Sequence, residues 1–282
     1  MSENTLADNT GVVKEALPSA IHVALITGGG NGIGRSTAIK FSEQGYRCAV
    51  ADINIESALE TVRMLKNPAI AIEVDVSDDK SVQEMINSTV KKYGRIDCAF
   101  NNAGIEGVRE KTANYPEEMF DRVLNTNLKG IWLCLKYEII QMMKQDLIIS
   151  NPEKWKDKSE LCRFTGARGN IVNTSSTAGL AAMPEFLPYC ASKWAIIGLT
   201  KTAAKEYAKD GIRINAICPA TTDTPMRSRF QGQWPEWQSQ TDECYPVGRV
   251  AAPEEVAEAV YWLCTDSCPF VTGEYLKIGG GS

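Results

Sequence analysis

Histidine is almost missing from this chain: His22 is the only one among 282 residues, and it lies inside an apolar run. The nine cysteines are scattered and include no Cys-x-x-Cys pair. Zinc sites need closely spaced Cys and His ligands and disulfide scaffolds need dense cysteine sets, so neither is expected and no metal is assigned. The cysteines are expected as small buried apolar residues in a reducing compartment. Long apolar runs are missing as well. None approaches the roughly 18 residues that a membrane span needs, and the first twenty residues lack the basic and apolar regions of a signal peptide. Nor do Lys and Arg cluster: 30 basic against 35 acidic residues leave a net charge of −5, which argues against nucleic acid or an anionic membrane as partner. A cytoplasmic protein is expected, with residues 1–19 as a short mobile extension.

What is present is an alternation. Short apolar runs with the look of buried strands occur at 21–27, 47–52, 70–75, 96–100, 170–175, 212–218 and 270–278, with helical patterns between most of them. That rhythm predicts an α/β fold, a doubly wound parallel sheet of about seven strands with helices on both faces. With no repeat or linker to divide the chain, residues 20–282 are expected to form a single domain. Two segments interrupt the pattern. Residues 145–169 are polar and read as a surface insertion, and residues 225–249 read as a loop or a mobile substrate lid. In the latter, Phe230, Trp234, Trp237 and Tyr245 either offer flat apolar surface to a bulky, ring-bearing substrate or pack into the subunit or a neighbour.

After the first run comes Thr27-Gly-Gly-Gly-Asn-Gly-Ile-Gly34, leading into a helical pattern. Alone it could be a flexible loop. Between a strand and a helix, such a turn lets backbone N–H groups approach a pyrophosphate that the helix N-terminus also attracts. Asp52 ends the second run, eighteen residues beyond Gly34. It is either a solvated strand-end acid or the carboxylate that accepts from the adenosine ribose hydroxyls and repels a 2′-phosphate. Ile53 and Asn54 follow it and no Arg or Lys stands within the turn, which favours NAD over NADP.

These motifs, with Asn-Asn-Ala-Gly at 101–104, the Asn of Asn-Leu-Lys-Gly at 127, Asn-Thr-Ser-Ser-Thr-Ala-Gly at 173–179, Tyr-Cys-Ala-Ser-Lys at 189–193 and Cys-Pro-Ala-Thr-Thr-Asp-Thr at 218–224, stand in the order and spacing of the short-chain dehydrogenase/reductases. The chain resembles that family from about residue 20 to 280. The resemblance implies a Rossmann-type fold and catalytic roles for Asn127, Ser176, Tyr189 and Lys193. It also implies a pyrophosphate turn at Gly28, Asn31, Ile33 and Gly34, adenine contacts at Asp75 and Val76, an adenosine-side wall at Asn102, Ala103 and Gly104, and carboxamide contacts at Thr222 and Thr224. Departures from the family pattern are Pro219-Ala220, where Pro-Gly is usual, the terminal Ile-Gly-Gly-Gly-Ser, and the 145–169 insertion.

Positions i and i+4 share a helix face, which sets Lys193 beside Tyr189. A tyrosine titrates near pH 10, and service as a base near neutrality requires a depression of roughly 3 units. The lysine ammonium and the positive charge of oxidised nicotinamide both act in that direction. Tyr189 would then exchange the proton of a secondary alcohol while hydride passes to or from the nicotinamide. Ser176 would hold the substrate oxygen, Lys193 would reach the nicotinamide ribose, and Asn127 would anchor a water between Lys193 and solvent. Taken singly, each residue has a plainer account: surface neighbours for the Tyr–Lys pair, a strand-end serine, a helix-capping asparagine. The leading expectation is an NAD-dependent enzyme acting on a secondary alcohol or ketone. An NADP-dependent ketoreductase and a non-catalytic NAD-sensing regulator stand as alternatives. The apolar surface of the patterns at 116–144 and 189–208, with the resemblance, implies a dimer or homotetramer.

Overall fold

Seven of the apolar runs are strands, and they lie side by side in one parallel sheet. The computed structural model describes residues 22–148, 157, 166–233 and 245–282. The expected extension 1–19, most of the 145–169 insertion, and Trp234 and Trp237 fall outside them.

In chain order the elements are β1 (Val23–Thr27), α1 (Gly32–Glu43), β2 (Arg47–Asp52), α2 (Ile55–Met64), β3 (Ala69–Glu73), α3 (Asp79–Tyr93) and β4 (Cys98–Asn101). There follow α4 (Glu117–Leu124), a π-helical turn (Asn125–Lys129), α5 (Gly130–Met142), β5 (Gly169–Thr174), α6 (Leu187–Tyr207), β6 (Ile212–Pro219), α7 (Pro225–Gln233), α8 (Pro253–Cys264) and β7 (Tyr275–Ile278). The sheet order is β3-β2-β1-β4-β5-β6-β7, all pairs parallel.

The strands β1, β5 and β6 are buried along their whole length because both faces of the sheet are covered. Leu25 joins a core with Val82, Met85, Leu133 and Met142 of α3 and α5. Its neighbours Ala24 and Ile26 point the other way, into a second core with Phe41, Val256 and Val260 of α1 and α8. Each such side chain contributes about 1.5 to 3 kcal/mol on burial. Asn54 and Asp78 start α2 and α3 by accepting from Ser57 N (3.1 Å) and Ser81 N (2.9 Å), the usual satisfaction of first-turn donors.

Element ends differ from the sequence reading in two instructive places. The last strand was expected over 270–278, but Phe270 is fully exposed and pairing begins only at Tyr275. Gly273, at φ 77°, turns the chain first. The helical pattern at 116–144 is continuous from α4 to α5 but passes through the π turn that holds Asn127. Gly130 then brings α5 so close to Val76 that a Cβ there would lie 2.8 Å from Val76 Cγ2. Among the described residues no helix is long and apolar enough to cross a membrane.

Candidate active site

The sheet order reverses between β1 and β4. Their following loops therefore part, opening a crevice at the C-terminal ends of the strands, where ligands of such sheets bind. The glycine turn occupies one wall. Gly28 has φ 61°, and a Cβ on it would lie 2.9 Å from Ala103 Cα. On Gly34 a Cβ would fall 2.0 Å from Gly28 O, so no side chain can stand there. Asn31 precedes α1 with its side chain exposed and makes no cap of its own.

The opposite wall is the segment 101–105. Thr27 ties it to the turn: its Oγ1 accepts from Asn102 N (3.0 Å) and Ala103 N (3.3 Å) and donates to Phe100 O (3.4 Å). Asn102 Nδ2 donates to Gly28 O at 3.2 Å. Asn127, fully buried, treats the backbone of Ile105 as a strand partner would, accepting from Ile105 N and donating to Ile105 O, both at 2.8 Å. The side chain is thereby committed to holding the wall, with a further 3.4 Å contact to Ser192 Oγ.

At the far end Asp52 is buried, with Oδ2 accepting from Gly30 N (2.9 Å) and Oδ1 from Asn54 N (3.0 Å). Arg35 follows the glycine turn directly, and its guanidinium bonds to Gly30 O, Glu60 Oε2 (3.1 Å) and Thr61 Oγ1 (3.0 Å). Beyond β3, Val76 is buried, while the exposed Asp75 accepts from Ser77 N and Oγ at 2.9 and 2.7 Å.

At the near end, Tyr189 and Lys193 sit one turn apart on α6, and Lys193 Nζ lies 5.5 Å from the centre of the Tyr189 ring. Lys193 is buried and donates to Thr174 O at 2.8 Å. Gly104 lies against it, since a Cβ there would be 3.8 Å from Nζ and 3.2 Å from Asn127 Oδ1. Ser176 starts the short helix at 177–179, its Oγ accepting from Ala178 N at 3.1 Å.

Burial sets the electrostatics of the pair. Burial pushes the Tyr189 phenol up to about 12, with Cys190 and Glu106 adding to the rise and the neighbouring Ser176 hydroxyl opposing it. The same burial pushes the Lys193 ammonium down to about 8. Desolvation is the largest effect on both groups.

Two cavities meet here. One, about 760 Å³, runs from Asp52, Asp75 and Val76 past the glycine turn. The other, about 350 Å³, is lined by Ser176, Met183, Tyr189, Lys193, Thr222 and Phe230 among others. Ile33, Asn102, Gly104 and Thr224 belong to both. Of the catalytic and cofactor residues expected from the sequence, Gly34 and Asn127 alone do not line these cavities. The glycine cradle, too tight for any Cβ, and the buried carboxylate at its end fit a dinucleotide. Thr224 lies over Gly32, with its Cγ2 3.1 Å from where a Cβ would be, and starts α7. Thr222 Oγ1 donates to Ala220 O at 3.1 Å. The first nine residues of the expected lid are thus a helix, with Phe230 buried against Phe186 at a ring distance of 5.2 Å. Tyr245 instead bonds Thr221, through Oγ1 at 2.8 Å and N at 3.1 Å.

Sequence reasoning overlooked Thr27 and Ser175. Ser175 Oγ donates to Lys193 O at 2.7 Å, and a Cβ on Gly179 would lie 2.4 Å from that Oγ. Both residues lie within quoted motifs, but their partners come from distant strands and helices.

Comparison with known proteins agrees with this geometry. Residues 22–149 match the family described as short chain dehydrogenase, and residues 159–282 that described as enoyl-(acyl carrier protein) reductase. The chain is 34% identical to a 2,5-dichloro-2,5-cyclohexadiene-1,4-diol dehydrogenase of Sphingobium indicum, over 91% of this chain and 95% of that one. It is 34% identical to a cyclohexanol dehydrogenase of an Acinetobacter species, over 92% and 93%. The crystal structure of an NAD+-bound xylitol dehydrogenase superposes with a TM-score of 0.80 at 31% identity, over 92% of this chain and 98% of that one. Sheet order, glycine cradle, the Tyr189–Lys193 pair and these matches along most of the chain make the protein a member of the short-chain dehydrogenase/reductase family.

Proposed function

We propose that the protein moves a hydride between NAD(H) and a secondary alcohol or its ketone, the substrate being a ring-bearing molecule. The observation that carries this reading is the Tyr189–Lys193 pair lining the smaller cavity, with Ser176 beside it. The nicotinamide, when bound, supplies the hydride acceptor in oxidation and the donor in reduction. In oxidation Tyr189 takes the hydroxyl proton as the carbon–oxygen double bond forms, Ser176 holds the substrate oxygen, and reduction returns the proton by the same path. Gly28, Asn31, Ile33 and Gly34 would receive the pyrophosphate, Asp75 and Val76 the adenine, and Asn102, Ala103 and Gly104 the adenosine side. Lys193 would hold the nicotinamide ribose, and Thr222 and Thr224 the carboxamide.

Preference for NAD is supported by Asp52, whose buried carboxylate faces the larger cavity. It is supported too by Arg35, whose guanidinium already has three partners. Ring-bearing substrates are supported by Met183, Met226 and Phe230 around the smaller cavity and by the names of the two curated relatives. Assembly as a dimer or tetramer is supported by Trp132, Ile140 and Met143 of α5 and Trp194 of α6, all exposed.

The test is to mix the protein with NAD+ or NADP+ and a panel of cyclic, open-chain and polyol substrates while following nicotinamide absorbance. Turnover of cyclic alcohols with NAD+, abolished in Tyr189→Phe with NAD binding retained, is expected. A Tyr189→Phe protein that keeps a substantial fraction of kcat would refute the assignment.

A further inference from the structure

The loop that follows β6 borders open space twice. Ala220 and Thr221 line the smaller cavity of the cleft and also a separate cavity of about 120 Å³, which they share with Tyr245, Val247, Ile278 and Gly280. Residues 220–223 therefore take their position from bonds to neighbouring segments. Backbone groups supply some of these. Ala220 N donates to Ile278 O at 2.9 Å, Ala251 N to Thr221 O at 3.1 Å, and Asp223 N to Ala251 O at 2.9 Å.

Tyr245 adds a brace from its side chain. Its hydroxyl donates to Thr221 Oγ1 at 2.8 Å and accepts from Thr221 N at 3.1 Å, so a single oxygen holds both the side chain and the backbone of the residue before Thr222. The segment that carries Tyr245 has a seat of its own. Gly248 N closes a turn on Tyr245 O at 2.7 Å, and Val247 N donates to Gly280 O at 3.2 Å. Gly280 and Gly281 have φ 56° and 93°, left-handed values that glycine adopts without strain. A Cβ on Gly280 would lie 2.8 Å from Val247 Cγ2, and one on Gly281 2.9 Å from Pro246 Cβ. Two glycines of the terminal Ile-Gly-Gly-Gly-Ser, a departure from the family pattern, thus lie directly against residues 245–247.

We propose that Tyr245 is a positioning residue for the nicotinamide end of the cofactor: seated on Gly280 and Gly281, it fixes Thr221 and through it the place of Thr222 and Thr224. This inference rests on the reading of those two threonines as carboxamide contacts. The adenosine end is held elsewhere, by Asp52, Asp75 and Val76 beyond β2 and β3. In the sheet β1, β4 and β5 separate β2 from β6, so a shift of Thr221 acts on one end of the dinucleotide and spares the other.

The experiment is a calorimetric titration of the wild type, Tyr245→Phe and Gly280→Ala with NADH and with ADP-ribose, which lacks the nicotinamide. Tyr245→Phe keeps the ring and removes only the hydroxyl. Its affinity for NADH is expected to fall about three- to tenfold, the scale of one net hydrogen bond, while that for ADP-ribose stays within about twofold of the wild type. Gly280→Ala, whose Cβ displaces Val247, is expected to give the same pattern. Retained binding of ADP-ribose shows at the same time that the variant is folded. A variant that weakens both ligands alike, or neither, would overturn the inference. A wild type that binds NADH no more tightly than ADP-ribose would instead overturn the reading of Thr222 and Thr224, and one that binds neither would overturn the proposed function, so the failures are told apart.

Discussion

Glu138 is a carboxylate in the wrong place for stability, and replacing it should make the protein stronger. It lies on α5, fully buried between helix and sheet. Its Oε2 accepts from Asn101 Nδ2 at 2.9 Å; the same amide donates to Asn173 Oδ1 at 3.0 Å, and Asn173 Nδ2 reaches Thr200 Oγ1 at 3.0 Å. Glu138 Oε1 and Asn101 Oδ1 have no hydrogen-bond partner among the described residues. Burial pushes the Glu138 carboxyl from its ordinary 4.5 up to about 8, against a smaller opposing effect of the Asn101 hydrogen bond. The folded state therefore holds a proton that the unfolded state releases across this window, and stability falls as pH rises from about 4.5 to about 8. Each unit is worth about 1.4 kcal/mol, so the full effect approaches 5 kcal/mol, or about 2 to 5 kcal/mol once the interior relaxes around the charge. Glu138→Gln removes the titration, and its amide supplies a donor of the kind Asn101 Oδ1 lacks. Urea denaturation of both proteins between pH 5 and 9 should show near-equal midpoints at the acid end and a growing advantage for the variant toward the alkaline end. A difference that stays constant with pH, or favours the wild type above pH 8, would refute the reasoning.

Three further outcomes test other parts of the molecule. Asp52 should impose at least about a tenfold preference in kcat/KM for NAD over NADP, roughly 1.4 kcal/mol, and Asp52→Ser should narrow it; equal efficiency in the wild type would contradict the role given to this carboxylate. Thr27→Val leaves Asn102 N and Ala103 N without their acceptor, so a loss of about 1 to 3 kcal/mol in thermal or urea stability is expected together with a raised KM for NAD, whereas unchanged values for both would remove Thr27 from the support of that wall. Light scattering at micromolar protein should report a dimer or tetramer, and a monomer would leave the exposed Trp132 and Trp194 without the partner proposed for them.

The sheet was legible because its strands announce themselves. A run such as Val23–Thr27 is apolar without alternation, the pattern of strands covered on both faces, and helical patterns between such runs leave few topologies. Ends were less legible. Extended pairing in β3 stops at Glu73, two residues before Asp75, and β7 cannot begin until the chain has passed Gly273. The polar core network was hidden altogether. A glutamate in a helix of mixed apolar and polar residues looks the same whether it faces solvent or sheet, and only the β4–β5 register brings Asn101 opposite Asn173.

The site divides in the same way between proximity and environment. Spacing alone sets Tyr189 beside Lys193, and the helix does so. Spacing says nothing of the medium between them. Beneath the loops that cover the cleft, both groups resist charge, the phenol rising to about 12 and the ammonium falling to about 8. A base held this way stays protonated until positive charge or hydrogen bonds gather at its oxygen. Ser176 is already beside it, Lys193 keeps its ammonium below pH 8, and oxidised nicotinamide carries a positive charge of its own. Under the proposed mechanism ionisation belongs to the filled site. A tyrosine depressed on its own account would lack that dependence on what is bound, which is why the direction of the shift suits the proposed chemistry.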